Sequence, residues 1–287
     1  MRPRTLPAAI APVLLGTALA WTEDKGDLGA ASLCLIFALL AQIAANLAND
    51  YYDFIKGADT KERVGPQRAV AAGLISPRAM KVAMYTACAA AFVVGLGLIP
   101  YGGWPLLLVG IASILCALAY TGGPYPLAYI GLGDVFVFIF FGLVATCCTY
   151  YVQAGEISIA SFLCAIPMGL LATNILVANN YRDVETDRKA GKLTTVVRFG
   201  RRFAKAHFIT SHVFAWATPF ILMTEGFEPS IIAWIPLSLL SLWGIRLCYR
   251  FSPERSPREL INILAGSGLY LFCYALSMGL WLLDGAR

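Results

Sequence analysis

A chain of 287 residues that is 59% hydrophobic and only 14% charged, with a mean hydropathy of +0.69, falls well short of the roughly one-quarter charged residues usual in soluble domains. These values exclude an ordinary water-soluble globule and predict an all-α, polytopic membrane protein. The net charge of +5 is explained by where the basic residues lie and gives no reason to expect nucleic-acid binding.

In chain order, apolar stretches recur at roughly 7–22, 29–48, 80–99, 105–120, 133–152, 159–179, 205–223, 231–247 and 261–282. About 20 apolar residues span a bilayer as a helix, so nine transmembrane helices are expected, in one domain over residues 1–287. Nine spans place the breaks alternately on two sides. Of the 22 Lys and Arg, all but Lys25 and Arg287 then fall on one side. Basic residues mark cytoplasmic loops, which predicts a cytoplasmic N-terminus in an inner (plasma) membrane. The opening MRPRTLPAAIAPVLLGTALA reads as the first span and not a cleaved signal, because apolar segments continue after it. The eight cysteines lie in or beside apolar runs without metal-type spacing and read as small buried hydrophobes.

The breaks on the basic side are the long ones, about 50–79, 121–132 and 180–204, and are expected to cap a cytoplasmic active site. Two of them begin with the same pattern. Ala48 to Asp53 reads A-N-x-Y-x-D, and so does Ala178 to Asp183. Each copy ends a span, the second and the sixth, as a four-helix repeat in a pseudo-symmetric bundle would place them.

The two copies carry the chemistry. Asn49 and Asp53 are four apart and share a helix face, as do Asn179 and Asp183, while Asp187 lies one further turn on. Asp59 follows Lys56-Gly57-Ala58, where glycine lets the chain turn. Oxygen ligands without His or Cys select a hard cation, and carboxylates with room for phosphate suit Mg²⁺. Arg68, Arg182, Arg188, Lys189 and Lys192 add the positive charge that a diphosphate requires. The lipid offers a route for a hydrophobic tail, so the implied substrate is a prenyl diphosphate. Asp50, Glu62 and Glu185 fit neither repeated position and read as solvated boundary residues. His207 and His212 read as packing or polar contacts.

These residues resemble the intramembrane aromatic prenyltransferases, the UbiA superfamily, which carry two Asp-rich motifs after the second and sixth helices. RPRTLPAAIAPVLLG, NDYYDFIKGAD, GPQRAVAAGLIS, YTGGPYPLAYIGLGD and NNYRDVETDRKAGKLTTVVRFG are similar, in that order, to its 1,4-dihydroxy-2-naphthoate polyprenyltransferase branch. The resemblance implies one Mg²⁺ at Asn49, Asp53 and Asp59, and a second at Asp183 and Asp187, bridged by a polyprenyl diphosphate. Gly57 stands where the wider superfamily has its last Asp, and the loop after the fourth helix lacks the lysine often found there. Help for the departing diphosphate then falls to Lys56, Arg68, Arg182 or Lys192. The allylic cation left behind would be attacked by the naphthoate with loss of CO₂. Tyr51, Tyr120, Tyr125 and Tyr181 could offer it their ring faces, and Arg2 could meet the acceptor's carboxylate. Hydroxybenzoate, homogentisate or haem acceptors would use the same metal site. A cation-coupled transporter is the reading of another class, but it would favour acids near the bilayer midplane.

Overall fold

The computed structural model describes residues 5–58, 68–252 and 257–286, with backbone alone for residues 257 and 258. The described residues form helices: α1 (Pro7–Thr22), α2 (Leu28–Ile55), α3 (Pro77–Leu96), α4 (Ile99–Ala119), α5 (Gly133–Ala154), α6 (Ile159–Arg182), a short α7 (Val184–Lys189), α8 (Thr195–Thr224), α9 (Trp234–Arg250) and α10 (Pro257–Asp284). Among the described residues eight helices are long and apolar enough to cross a membrane, all except α1 and α7. The expected first span is an apolar helix of 16 residues, just under the usual spanning length of about 17–25.

Local chemistry sets the helix starts. Asp27, Ser76, Ser158 and Thr194 each sit in extended backbone, and their side chains accept from the third amide onward, capping α2, α3, α6 and α8. The ends differ from the expected spans where polar residues stay helical. α2 runs on to Ile55, carrying the whole first A-N-x-Y-x-D copy on one helix. α8 begins at Thr195, ten residues earlier than hydropathy predicts, and is kinked at Gly200 with φ 83°.

α6 packs against α5, α8 and α10, while α1 packs against α2, α5 and α10. α2 packs against α3 and α4, and α9 against α10. The outward faces carry exposed Leu108, Ile231 and Leu242, as a lipid-facing surface should. Lipid tails are as apolar as leucine, so such helices associate through close packing at small residues. The α5–α6 contact shows it. α5 opens into a π-helical turn at Phe138–Val144, and a Cβ added at Gly142 would lie 2.6 Å from the Gly169 Cα. The Gly169 Cα belongs to backbone, which cannot swing aside. Gly142→Ala should therefore cost about 1–3 kcal/mol, read as a lowered Tm in detergent.

A cavity of about 280 Å³ opens between α2 and α6 and is also lined by α1, α4 and α5. Its lining on α2 extends from Cys34 to Asp53, roughly 28 Å at 1.5 Å per residue. One end is apolar, with Val13, Leu98, Leu106 and Phe140; the other carries Asn49, Asp53, Arg68, Asn179 and Lys192.

Candidate active site

Both A-N-x-Y-x-D copies reach the polar end of this cavity, but their helices finish differently. In α2 the helical geometry continues through the motif, so Asn49 and Asp53 line the cavity together. In α6 the helix stops at Asp183 (φ −95°, ψ 9°) and restarts as α7. The Asp187 amide still donates to the Asp183 carbonyl at 2.8 Å, which preserves the four-residue spacing across the break.

Buried carboxylates are costly unless paired, and here each has a cation from the chain. Arg68 pairs with Asp50 and reaches Asp53 Oδ2 at 3.2 Å. Asp50 is 8% exposed, which corrects its expected role as a solvated boundary residue: lying one residue from Asn49, it faces the incoming Arg68 and shares that guanidinium with Asp53. Arg182 Nε donates to Asp183 Oδ1 at 2.7 Å, and its Nη2 donates to Asn179 Oδ1 at 2.8 Å. Lys192 stands 3.9 Å from Asp187. Glu185 is exposed and near Arg188 and Arg201, as expected of a solvated residue.

Tyr129 joins the two halves. Its hydroxyl donates to Asp53 Oδ1 at 2.9 Å, and the ammonium groups of Lys56 and Lys192 lie 4.7 and 5.5 Å from its ring centroid. Asp53 of the first copy and the Lys192–Asp187 pair of the second thus meet at one aromatic ring. Lys56 also donates to the Thr121 carbonyl at 2.7 Å, and the Thr121 hydroxyl donates to Asn49 Oδ1 at 2.8 Å. Burial pushes the Lys56 ammonium pKa down, against the raising influence of Asp53. The 121–132 loop is tied to the segment after α7 as well: the Leu193 amide donates to the Tyr129 carbonyl at 2.9 Å, and Arg198 donates to the Ile130 carbonyl at 2.9 Å. Two of the three loops expected to cap the site therefore meet over it.

Of the residues singled out in the sequence, Asn49, Asp53, Arg68, Tyr120, Asn179 and Lys192 line the cavity. Lys56 stands beside it through Tyr129, and Arg182, Asp183 and Asp187 are buried next to the lining. Arg2 and Asp59 lie outside the described residues, as does Glu62. Three of the four candidate tyrosines do not line the cavity. Tyr125 is 77% exposed on the loop. Tyr181 is buried with its ring 4.5 Å from that of Phe251, on the far side of α6. Tyr51 packs edge-on against Tyr52. In each case the helix or turn carries the side chain away from the lining. His212 is buried between Phe208 and Tyr270, consistent with a packing role.

The donors around this end are all oxygens, from Asp53, Asp183, Asp187 and the side-chain amides, with no thiolate or imidazole among them. That is the donor chemistry of Mg²⁺, and the residues present fit such an ion. Among the described residues no three His, Cys, Asp or Glu form a ready cluster; the acids come as pairs divided between the two copies, as the repeat requires.

A family model described as the UbiA prenyltransferase family matches residues 9–269. The chain is 42% identical over 213 residues to 1,4-dihydroxy-2-naphthoate octaprenyltransferase of Escherichia coli (strain K12), covering 72% of this chain and 69% of that protein. It is 38% identical over 279 residues to the protein of the same name from Mycobacterium tuberculosis, covering 96% and 93%. Among solved structures, the apo structure of a UbiA homolog from Aeropyrum pernix K1 shares the fold with a TM-score of 0.71 at 17% identity, covering 96% of this chain and 98% of that one. A UbiA homolog from Archaeoglobus fulgidus bound to DMAPP and Mg²⁺ gives a TM-score of 0.59 at 18% identity, over 96% and 97%.

Proposed function

Because the chain belongs to the UbiA prenyltransferase family, we propose that it transfers a polyprenyl group from polyprenyl diphosphate to 1,4-dihydroxy-2-naphthoate, in menaquinone synthesis. The supporting observation is the shape of one cavity: a polar end where two Asp-bearing motifs meet at Tyr129, continuous with a long apolar chamber. A prenyl diphosphate has the same polarity along its length.

Asn49, Asp53 and Asp59 on one side, and Asp183 and Asp187 on the other, would hold Mg²⁺, which when bound there stabilises charge on the departing diphosphate. Lys56, Arg68 and Lys192 bring three further cations to that end, and Arg182 keeps Asp183 and Asn179 oriented. The bond between C1 of the prenyl chain and the bridging oxygen breaks with its electron pair passing to diphosphate. The naphthoate ring forms the new carbon–carbon bond at its carboxyl-bearing carbon, and CO₂ departs leaving its electron pair to restore aromaticity. The product is the prenylated diol of demethylmenaquinone. Tyr120, in the cavity lining, offers its ring face near the developing allylic cation. The 121–132 loop and the segment before α8 exclude water that would quench it. The strongly one-sided basic loops support a cytoplasmic setting for this end of the molecule.

Purified protein supplied with Mg²⁺, radiolabelled polyprenyl diphosphate and a panel of aromatic acceptors tests the proposal. Labelled prenyl-naphthalenediol should form with dihydroxynaphthoate alone and disappear when EDTA is added. Transfer to hydroxybenzoate in its place would overturn the acceptor assignment.

A further inference from the structure

Asn180 is 3% exposed and lines the cavity, yet its side-chain carbonyl oxygen has no hydrogen-bond partner. Leaving such an acceptor unmet costs about 1–3 kcal/mol, so an orphan in a cavity wall marks where a ligand donor belongs. From this oxygen we infer that Asn180 binds the 4-hydroxyl of the aromatic acceptor and sets the specificity for a dihydroxy ring. The inference rests on the prenyl-transfer reading above.

Its position along the cavity distinguishes this partner from the diphosphate and the tail. On α6 the lining residues Ala172, Ile175 and Leu176 form an apolar stripe that ends in Asn179 and Asn180. α2 repeats the order, with Ala38 and Ala41 followed by Gln42 and Asn46, and then Asn49 and Asp53. A neutral, amide-bearing band therefore separates the apolar chamber from the charged end. The amides of Gln42 and Asn46 are committed to Thr5, donating to its carbonyl at 3.1 Å and its hydroxyl at 3.2 Å. Asn180 Oδ1 is the acceptor in the band that is both buried and without a partner. It lies three residues before Asp183, roughly 4.5 Å along the helix.

C1 of the prenyl chain is one ester linkage from the diphosphate, and the attacking ring must come within about 3.5 Å of C1. The ring consequently has to sit at the edge of the charged end, which is the level of Asn180. An amide oxygen there repels diphosphate oxygens and accepts from a phenolic hydroxyl. In the internal repeat Asn180 occupies the place of Asp50. Asp50 is used to hold Arg68, whereas a neutral amide here avoids placing a second buried charge against the acceptor's own carboxylate.

The test compares wild type with Asn180→Leu, which keeps the shape and removes the polar atoms, varying each substrate and Mg²⁺ separately. An acceptor analogue lacking the 4-hydroxyl, 1-hydroxy-2-naphthoate, added as a competitor, supplies the second arm. Asn180→Leu should raise the KM for dihydroxynaphthoate about 10-fold or more. The KM for polyprenyl diphosphate and the Mg²⁺ requirement should stay within about 2-fold, and Tm should not fall, since removing an unmet buried acceptor is close to neutral. The wild-type preference for the dihydroxy ring over the 1-hydroxy analogue should vanish in the variant. Equal weakening of both naphthoates, unchanged acceptor kinetics, or a shift in diphosphate or Mg²⁺ dependence instead would overturn the role. Wild-type turnover in the same assay separates this from failure of the broader reading: an inactive wild type sinks both, and an active wild type without the selective loss sinks Asn180 alone.

Discussion

Asp53→Ala and Asp183→Ala should each lower turnover by at least about 100- to 1,000-fold, the loss expected when one preorganised electrostatic contact to a developing charge is removed. The two carboxylates come from different copies of the repeat, and no single helix carries both. Asp53 receives Tyr129 and Arg68, while Asp183 is held by Arg182. A site served by both copies loses function when either fails, and residues acting as a unit are far from additive. The double variant should consequently be no slower than the slower single variant. Asp53→Asn and Asp183→Asn keep the shape and control for insertion and folding. Full activity in any of these variants would remove the two-motif site.

Arg68→Ala should be the most destabilising single change at the site. It leaves Asp50 and Asp53 facing each other in a buried setting, 8% and 3% exposed, with their shared guanidinium gone. Removing one partner from a buried ion pair costs about 3–5 kcal/mol, enough to lower Tm in detergent by many degrees. If uncompensated charge is the cause, adding Asp50→Asn to Arg68→Ala should recover a large part of the loss, because one of the two carboxylates that shared the guanidinium is then neutral. A double variant as unstable as Arg68→Ala would show that the arginine acts through packing.

The fold was legible because hydropathy and charge repeat together along the chain: alternating basic breaks locate helix ends even without propensity. The boundaries were less so. Hydropathy ends α2 near Ala48, since Asn49, Asp50 and Asp53 are polar, but these residues stay helical through Ile55 because Arg68 and Tyr129 satisfy the acids. The same reason hid Asp50. Spacing identified the repeated positions, and nothing local revealed that an arginine 18 residues away would return to it.

Tyr129 was missed for a related reason. The loop YTGGPYPLAYIGL offers three tyrosines, and the turn that hydrogen-bonds the Tyr129 amide to the Pro126 carbonyl at 2.9 Å selects the third by bringing its hydroxyl to Asp53. Tyr120 remains in the lining and Tyr125 is left on the surface. Asn180 did have a signal, its alignment with Asp50 in the repeat, but only the burial of its unmet oxygen gives that alignment meaning.

In the proposed mechanism both copies of A-N-x-Y-x-D build one diphosphate site. Calorimetric titration of polyprenyl diphosphate into the purified protein, with Mg²⁺ or with EDTA, measures this most directly when wild type is set beside Asp53→Asn and Asp183→Asn. Binding that requires Mg²⁺ and weakens by about tenfold or more, 1.4 kcal/mol, in each variant is the predicted result. Binding that is indifferent to EDTA, or that one of the two substitutions leaves untouched, would contradict it.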